Sequence, residues 1–349
     1  MFRCDQAATR SYTLIPLLTD SGTVVYRDRA DQPEWRGSPA GDALYNTMQT
    51  LSAFSSLGRN GWNGLNGDAN VVLDSTYDNP QNLPDYGFFR MTGSGDPRVP
   101  PTPFLGIARS ENFYNMAAAL DAIAHEWGHG VIFTSANFPC VTPDTLPCQL
   151  HEGFADVIAQ IVEKKKQPTG AGLEQSSDWT IHEDNGRGGY VRGALDDGDG
   201  GHTWTDINGI PRGPYNQTVH RQDADGTDPQ VPAITQSHMR GNMLNMVLRL
   251  LVEGGTNPIC ARHPEYGGCG TTVTGLGLTK GSQILFDTVQ FYAPANAQWA
   301  DLASYASAAA FDRYNRCLQT GYPATVEQDG VDKAFGAIGY PRLTPADGC

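Results

Sequence analysis

The sequence predicts an α+β protein with two lobes, and three observations lead to this fold class. The chain has 349 residues, which is enough for two domains. Alternating apolar residues at 11–28 and the apolar run at 71–73 predict strands in the first third of the chain. The apolar run at 116–120 predicts a helix, and further helices are predicted to close the chain after residue 236. We therefore expect a β-rich N-terminal lobe at 1–135, a mainly helical C-terminal lobe at 136–349, and a cleft between them.

Individual elements follow from the same periodicities. A hairpin is predicted around Asp20-Ser21-Gly22, where two alternating runs flank a turn. A strand is predicted at 71–73, and 97–103 is predicted to be an irregular insertion. Residues 167–235 are predicted to be loops, because they are rich in Gly and Asp. Apolar residues at helical spacing predict helices at these ranges: 43–57, 116–135, 152–166, 237–253, 279–292, 299–316 and 327–337.

The charge balance limits the classes of partner. Asp and Glu number 38 against 24 Lys and Arg, which gives a net charge of −14. Such an acidic chain is a poor partner for nucleic acid or an anionic membrane surface. No apolar run approaches the roughly 18–20 residues that a membrane span requires. We expect a secreted, extracellular monomer with carboxylates available for calcium.

Seven cysteines indicate an oxidising compartment. Two pairs each flank a short loop and are predicted to form local disulfides: Cys140 with Cys148, and Cys260 with Cys269. Cys317 and Cys349 are candidates for tying down the C-terminal tail, which would leave Cys4 without a partner. The alternative is a set of buried free thiols.

The segment His125-Glu126-Trp127-Gly128-His129 has the pattern H-E-x-x-H on a predicted helix. His125 and His129 are four positions apart and project from one face, so they can form two corners of a tetrahedral zinc site. Glu126 lies beside such a metal and can accept a proton from water. The alternative interpretation is an ordinary helix with two surface histidines and a glutamate.

The next helical stretch supplies a third ligand. Glu152 and Asp156 are four residues apart and share one helix face. Glu152 is predicted to bind zinc, while Asp156 accepts the outer N–H of a ligand histidine. The alternative is that both are ordinary acidic residues near a helix N-terminus, stabilised by the helix dipole.

H-E-x-x-H followed by E-x-x-x-D resembles the thermolysin family of zinc metalloendopeptidases. The resemblance extends from about Tyr45 to Tyr340 and is strongest at 113–163 and 236–340. It implies a two-lobed fold with one catalytic zinc in the cleft, and protein or peptide substrates. The family is made with a signal and a long propeptide. Residues 1–5 lack the apolar segment of a signal peptide, so we expect a mature form without its leader.

The resemblance also implies further site residues. His238 matches the family histidine that binds the oxyanion of the tetrahedral intermediate. Arg192 matches the arginine that holds the substrate carbonyl, and Asn79 corresponds to an edge-strand residue that pairs with extended substrate. Positions matched to an apolar pocket for the residue after the cleaved bond are Phe113, Met116, Ala122 and Val191. Positions matched to a calcium site, which we expect to be double, are Asp121, Glu163, Asp178 and Glu183.

Two positions depart from the family pattern. An Asp five residues before the oxyanion histidine is replaced by Ala233, and the loop 223–228 contains the candidate substitute carboxylates. The family tyrosine that also faces the oxyanion is missing, since 130–151 contains no Tyr.

The sequence therefore predicts a secreted zinc endopeptidase that cleaves before bulky hydrophobic residues. An aminopeptidase of related architecture is less compatible, because no G-x-M-E-N-like segment is present. The alternative from another class is a catalytically impaired homologue that acts as a zinc-stabilised binding protein.

Overall fold

The structure is a computed structural model, and it describes sixteen segments of the chain. For the strands before residue 213, only the backbone is described. The segments are 2–6, 12–16, 39–65, 70–74, 87–92, 102–108, 119–140, 142, 145–167, 179–181, 192–193, 204–205, 211–212, 219–222, 233–314 and 325–342.

The N-terminal part contains a mixed five-stranded sheet in the order β2-β1-β3-β5-β4. Its strands are β1 (Phe2–Gln6), β2 (Tyr12–Pro16), β3 (Asn70–Asp74), β4 (Gly87–Thr92) and β5 (Thr102–Ala108). The inner pairs β1–β3 and β3–β5 are parallel, with Phe2 opposite Val72 and Val72 opposite Gly106. The outer pairs β1–β2 and β4–β5 are antiparallel.

Helices α1 (Pro39–Ser56) and α2 (Leu120–Phe133) connect this sheet to the rest of the fold. Helix α2 packs against β4, β5 and α1, and α1 also contacts β3. Trp127 is fully buried, and its indole N–H donates to the Thr47 hydroxyl at 3.2 Å. The indole therefore fixes α2 against α1 through both apolar burial and a satisfied polar group.

A buried cation holds the C-terminal end of α2. The Arg59 guanidinium donates to the Thr134 hydroxyl at 2.7 Å and to the Ser135 hydroxyl at 3.2 Å. The Thr134 hydroxyl in turn donates to the Gly130 carbonyl at 2.8 Å. Burial lowers the pKa of Arg59 to about 10, so the side chain is still charged at neutral pH. A positive charge at this end complements the helix dipole.

Helix α3 (Leu146–Lys166) is the central helix, and it contacts α1, α2, α4, α5 and α6. It begins after Thr145, whose backbone is extended, and Pro147 stands in its first turn, where a missing N–H costs nothing. Its last turn carries Lys164, Lys165 and Lys166, which suit the negative end of the dipole.

The remaining helices lie at the C-terminal end of the described chain. They are α4 (Ala233–Gly241), α5 (Met243–Glu253), α6 (Gly277–Asp287), α7 (Trp299–Tyr314) and α8 (Val326–Ala337). A 3₁₀ turn (Pro258–Ala261) follows α5, and a π-helical turn (Thr288–Tyr292) follows α6. Two-residue strands form three further pairs: Thr180–Ile181 with Arg192–Gly193, Trp204–Thr205 with Pro211–Arg212, and Gly254–Gly255 with Val273–Thr274.

Most predicted helices and both local disulfides are present. The disulfides join Cys140 to Cys148 and Cys260 to Cys269. Helix α8 begins with a capping box, in which Thr325 and Gln328 each accept the other's backbone N–H. Cys317 and Cys349 lie outside the described residues. None of the described helices is both long enough and apolar enough to cross a membrane.

Several predicted boundaries are wrong. The helix predicted at 237–253 begins earlier, at Ala233, and is interrupted at Asn242, next to Gly241. An Asn side chain beside a Gly weakens helical continuity, because the amide competes for local hydrogen bonds and Gly has high backbone freedom. The helix predicted at 116–135 begins at Leu120, because the backbone of Ala119 is extended. Thr102 and Pro103, predicted to be irregular, begin β5.

The predicted N-terminal hairpin is tested only in part. Residues Tyr12–Pro16 form a strand, and they pair with Phe2–Gln6, a pairing that the alternation did not indicate. The turn at 20–22 and the second half of the predicted hairpin lie outside the described residues.

Candidate active site

Helix α2 presents His125, Glu126 and His129 within one turn. The helical spacing brings the two imidazole rings to 4.6 Å between centroids, edge to face. His125 and Glu126 are buried, and the side chain of His129 is 16% exposed. One Glu126 carboxylate oxygen lies 3.9 Å from Nε2 of His129. This face of α2 thus combines two nitrogen donors with an adjacent carboxylate.

Helix α3 brings Glu152 and Asp156 to the same place. Oε2 of Glu152 lies 3.3 Å from Nε2 of His125 and 3.6 Å from Nε2 of His129. Oδ1 of Asp156 lies 2.7 Å from Nδ1 of His125. His125 therefore has a carboxylate against each ring nitrogen, which fixes the orientation of the ring.

Helix α4 adds His238 from the opposite side. Nε2 of His238 lies 2.9 Å from Oε2 of Glu152, and its ring stacks at 5.9 Å on that of His125. Three imidazoles from two helices thus surround one carboxylate of a third helix. All of these groups are largely buried, so their interactions are weakly screened by solvent.

The surroundings hold the central groups in metal-binding protonation states. Burial lowers the pKa of His129 well below its usual value, and the nearby Glu152 carboxylate only partly offsets this. Burial alone would raise the pKa of Glu152, but His238, His129 and hydrogen bonds from His125 and His238 hold it well below its usual range. A neutral imidazole and an ionised carboxylate are the forms that ligate metal.

The described residues contain two groups of three side chains whose ligand atoms lie within 4.8 Å of one another. The first contains His125, Glu126 and His129, and the second contains His125, Glu152 and His238. The donor set of imidazole nitrogens and carboxylate oxygens is the one that zinc prefers in catalytic sites. The residues therefore fit a zinc ion.

The family model described as "Thermolysin metallopeptidase, alpha-helical domain" matches residues 147–339, which is more than half of the chain. The chain belongs to the thermolysin metallopeptidase family. Zinc and hydrolysis are what this family implies.

A search of solved structures found a similar fold. The precursor of protealysin, a metalloproteinase from Serratia proteamaculans, matches with a TM-score of 0.55 and 15% sequence identity. The match covers 97% of this chain and 87% of that chain. At this identity the similarity concerns the fold alone. No curated protein sequence matches the chain.

The sequence-predicted site residues of this thermolysin-family chain are brought together to different extents. His125, His129 and His238 contact Glu152 directly. Asp156 contacts His125, and Glu126 contacts His129. Ala122 is fully buried in α2, and only the backbone of Arg192 is described, in a two-residue strand. The predicted residues outside the described segments are Asn79, Phe113, Met116, Asp178, Glu183 and Val191.

Two members of the predicted calcium site are described, and both are buried. Asp121 is 1% exposed, and its carboxylate accepts the backbone N–H of Ala122 at 2.7 Å. Glu163 is 2% exposed. Carboxylates this deeply buried require compensating partners. Among the described residues, neither belongs to a group of three candidate metal ligands.

Three features of this thermolysin-family site were not identified from the sequence. The ring of His151, directly before Glu152, lies 4.8 Å from that of His129. Its Nδ1 is 3.0 Å from the Phe138 carbonyl. Gly153 and Gly241 are in backbone contact where α3 crosses α4. The sequence offered one signal for His151, which is its position next to the predicted ligand Glu152. The contacts of His151 with Phe138 and of Gly153 with Gly241 join residues distant in sequence and had no such signal.

Proposed function

We propose that this protein is a secreted zinc endopeptidase that hydrolyses internal peptide bonds of protein or peptide substrates. The single observation that carries the proposal is the convergence of His125, His129 and Glu152, with the Glu126 carboxylate 3.9 Å from Nε2 of His129. A site that only bound metal would not require a buried carboxylate next to its ligands. A hydrolase requires one, because the attacking water must lose a proton.

In this proposal, His125, His129 and Glu152 hold one zinc ion. When bound, zinc polarises the scissile carbonyl and lowers the pKa of water. Asp156 accepts the Nδ1–H of His125, and so keeps Nε2 of that ring free to bind metal. Glu152 remains ionised, because the surrounding imidazoles lower its pKa.

Glu126 is the general base. Its carboxylate takes the proton of the attacking water and then transfers it to the leaving amine. His238 is the donor to the oxyanion of the tetrahedral intermediate. Its ring reaches the site from α4, and its Nε2 lies 2.9 Å from Oε2 of Glu152.

Substrate specificity is proposed from the family-matched positions. Phe113, Met116, Ala122 and Val191 are assigned to an apolar pocket that favours a bulky hydrophobic residue after the cleaved bond. Arg192 is assigned to the substrate carbonyl and Asn79 to the substrate backbone. The pocket belongs to a cleft between the lobes 1–135 and 136–349. Secretion fits the two disulfides, since such bonds persist in oxidising compartments. The protein is also proposed to be a monomer.

A structural calcium site, which we expect to be double, is proposed from Asp121, Glu163, Asp178 and Glu183. Its motivation is that these four carboxylates match the family's calcium positions, and clustered carboxylates repel one another unless a hard cation lies among them. Adding EGTA to the zinc-loaded protein should lower the melting temperature and accelerate autolysis. Unchanged melting and autolysis would show that no calcium is bound.

The decisive experiment compares the parent with Glu126→Gln in a casein assay and a peptide-library assay. Gln cannot accept the water proton, so turnover should fall by about 10²–10⁴-fold while zinc content stays near one equivalent. A zinc chelator should abolish the activity of the parent. A Gln variant with most of its activity would exclude Glu126 as the base. If both proteins bind zinc and neither cleaves, the zinc-stabilised binding protein becomes the better account.

A further inference from the structure

Helix α3 carries the predicted third ligand near an end that lacks the usual helix caps. Its N-cap residue, Thr145, makes no side-chain capping hydrogen bond to the described backbone, and its first turn contains no acidic residue. The Thr145 hydroxyl donates instead to the Thr142 carbonyl at 2.7 Å. The first N–H groups of a helix have no partner inside it, so an uncapped first turn opens easily. Glu152 lies in the next turn of the same helix.

A disulfide restrains this first turn. Cys148 stands in it and is joined to Cys140, in the segment that follows helix α2. Cys148 is fully buried, whereas Cys140 is partly exposed. Cys148 comes four residues before Glu152, so the two side chains lie on one face of α3. The covalent bond therefore holds the helix face that carries the ligand.

The segment on the other side of the disulfide is fixed to helix α2. The Cys140 backbone N–H donates to the Phe138 carbonyl at 3.0 Å, and Phe138 is buried. The Asn137 backbone N–H donates to the Ile132 carbonyl, in the last turn of α2, at 2.7 Å. The disulfide thus connects the first turn of α3 to the end of the helix that presents the two predicted ligand histidines.

The ligand geometry leaves little room for movement of this turn. Oε2 of Glu152 lies 3.3 Å from Nε2 of His125 and 3.6 Å from Nε2 of His129. Bonds from zinc to nitrogen or oxygen are about 2.0–2.2 Å long, so neighbouring ligand atoms of a tetrahedral site lie about 3.3–3.6 Å apart. The fold already holds Glu152 at these separations. Opening of the first turn of α3 would displace Glu152 and weaken zinc binding.

We propose that the Cys140–Cys148 disulfide is a redox-sensitive clamp that holds Glu152 in its metal-binding position. This inference rests on the proposed function, because it assumes that Glu152 binds zinc. Closing the clamp is an oxidation, in which two thiols give up two protons and two electrons to a disulfide oxidant that is reduced to two thiols. In a reducing compartment the clamp stays open. The protein therefore gains its full zinc affinity only where disulfides form, which keeps a secreted peptidase inactive before export.

The second disulfide provides a matched control. The residues that it joins, Cys260 and Cys269, are nine apart in sequence, against eight for Cys140 and Cys148. Loops of nearly equal length have nearly equal closure entropy, so the loss of either bond should destabilise the protein to a similar extent. The control disulfide lies after α5, in a segment that carries no predicted site residue.

The test compares two double variants, Cys140→Ala with Cys148→Ala, and Cys260→Ala with Cys269→Ala. Zinc dissociation constants are measured by competition with a chromogenic chelator, and melting temperatures of the metal-free forms report folding. Zinc binding should weaken by about 10–100-fold in the first variant, the usual cost of losing a group that orients a metal ligand. It should stay within about threefold of the parent in the second. The visible spectrum of the cobalt-substituted protein should change in the first variant alone.

Two further measurements separate the clamp from a general loss of fold. In the variant without Cys260 and Cys269, the described disulfide is Cys140–Cys148. Its reduction by a phosphine, which is then removed, should weaken zinc binding by about 10–100-fold, and reoxidation should restore it. Thr145→Asp, added to the variant without Cys140 and Cys148, supplies a capping acceptor at the start of α3. It should regain about fivefold in zinc affinity, the usual effect of an N-cap.

Other results overturn the inference. If both double variants melt earlier and bind zinc like the parent, the Cys140–Cys148 disulfide is only a structural crosslink. If both lose zinc affinity equally, affinity follows overall stability and not the first turn of α3. If the first variant does not fold, unchanged zinc binding on reduction of the second contradicts the clamp.

The same measurements distinguish this inference from the proposed function, because zinc binding is measured without substrate. A parent that binds zinc but cleaves no peptide overturns the proposed function, while the comparison of variants still decides the clamp. A parent that binds no zinc overturns both.

Discussion

Two helix crossings bring the site together, and they are packed in different ways. Helix α2 meets α3 at Gly128, where an added methyl carbon would lie 3.1 Å from the Ala155 Cα and 3.4 Å from the Ile158 Cβ. Helix α3 meets α4 at Gly153 and Gly241, where a methyl carbon on Gly153 would lie 2.6 Å from the Gly241 carbonyl oxygen. The first crossing is tight, whereas the second has no room for a side chain.

The difference shows how each group of the site is positioned. The α2–α3 crossing sets His125 and His129 against Glu152, and a carbon added at Gly128 would still lie 3.1 Å from its nearest neighbour, the Ala155 Cα. The α3–α4 crossing sets His238 against Glu152 through direct backbone contact. A backbone contact has no side chain that can change rotamer, so a change in volume must move a whole helix. The position of His238 should therefore be more sensitive to added volume at its helix crossing than the positions of His125 and His129.

A substitution at the tighter crossing, between α3 and α4, should have the larger effect on activity. In Gly241→Ala, the new methyl carbon would lie 2.7 Å from the Gln149 carbonyl oxygen and from the Gly153 nitrogen. Helix α4 must shift, and His238 shifts with it. Misplacement of a catalytic group by about 1 Å can cost about 10²-fold in rate, so kcat/KM should fall by about that factor. Zinc content should stay near one equivalent, because the α2–α3 crossing is intact.

The matched control is Gly336→Ala in α8, where an added methyl carbon would meet nothing within 4 Å. Its activity should equal that of the parent. If Gly241→Ala also retains full activity, backbone contact at this crossing does not set His238. If it loses zinc together with activity, the two crossings are not independent.

The equivalent change at the first crossing should be milder. In Gly128→Ala, the better helix propensity of Ala should raise the free energy of unfolding by up to about 1 kcal/mol. Overpacking against Ala155 costs about 1–3 kcal/mol, because a backbone atom at 3.1 Å must give way by a few tenths of an ångström. The net destabilisation should be at most about 3 kcal/mol in the free energy of unfolding, measured by denaturant titration. Activity lost to the same extent as in Gly241→Ala would remove the distinction between the crossings.

The smallest expected effect concerns the ionisable groups at the α2–α3 crossing in the metal-free protein. Folding lowers the pKa of His129 below the value of 6.5 in the unfolded chain, so below that pH the unfolded chain binds the extra proton. Stability should therefore be constant at neutral pH and decrease as the pH falls below about 6.5. The lowered pKa of Glu152 adds a further loss below about 4.5, as the pH falls through the folded-state value.

Melting temperatures of the chelator-treated protein between pH 8 and about pH 2 test this direction for both decreases. A flat profile from pH 7 to pH 5 would contradict it. The His129→Gln variant is the control. Its first decrease should be smaller than that of the parent but not absent, because burial also lowers the pKa of His151, and it should retain the second decrease.

The sequence predicted those parts of the site that depend on helix geometry. His125 and His129, and likewise Glu152 and Asp156, are four residues apart, and helical spacing of 3.6 residues per turn places each pair on one face wherever the helix lies. The two disulfides were predictable for a similar reason, since a short loop keeps its ends close. The helical C-terminal fold followed from apolar periodicity, although helix ends and the break at Asn242 did not.

The contacts between residues distant in sequence could not be predicted from local patterns. The Gly153–Gly241 contact, the 2.9 Å approach of His238 to Glu152 and the placement of His151 on His129 depend on how helices cross. Crossing geometry is set by the complete surfaces of both helices and by the residues packed behind them. A local pattern carries no information about those surfaces. Local sequence patterns therefore predicted the ligands of the site. The neighbouring residues that pack against those ligands were found only in the folded structure.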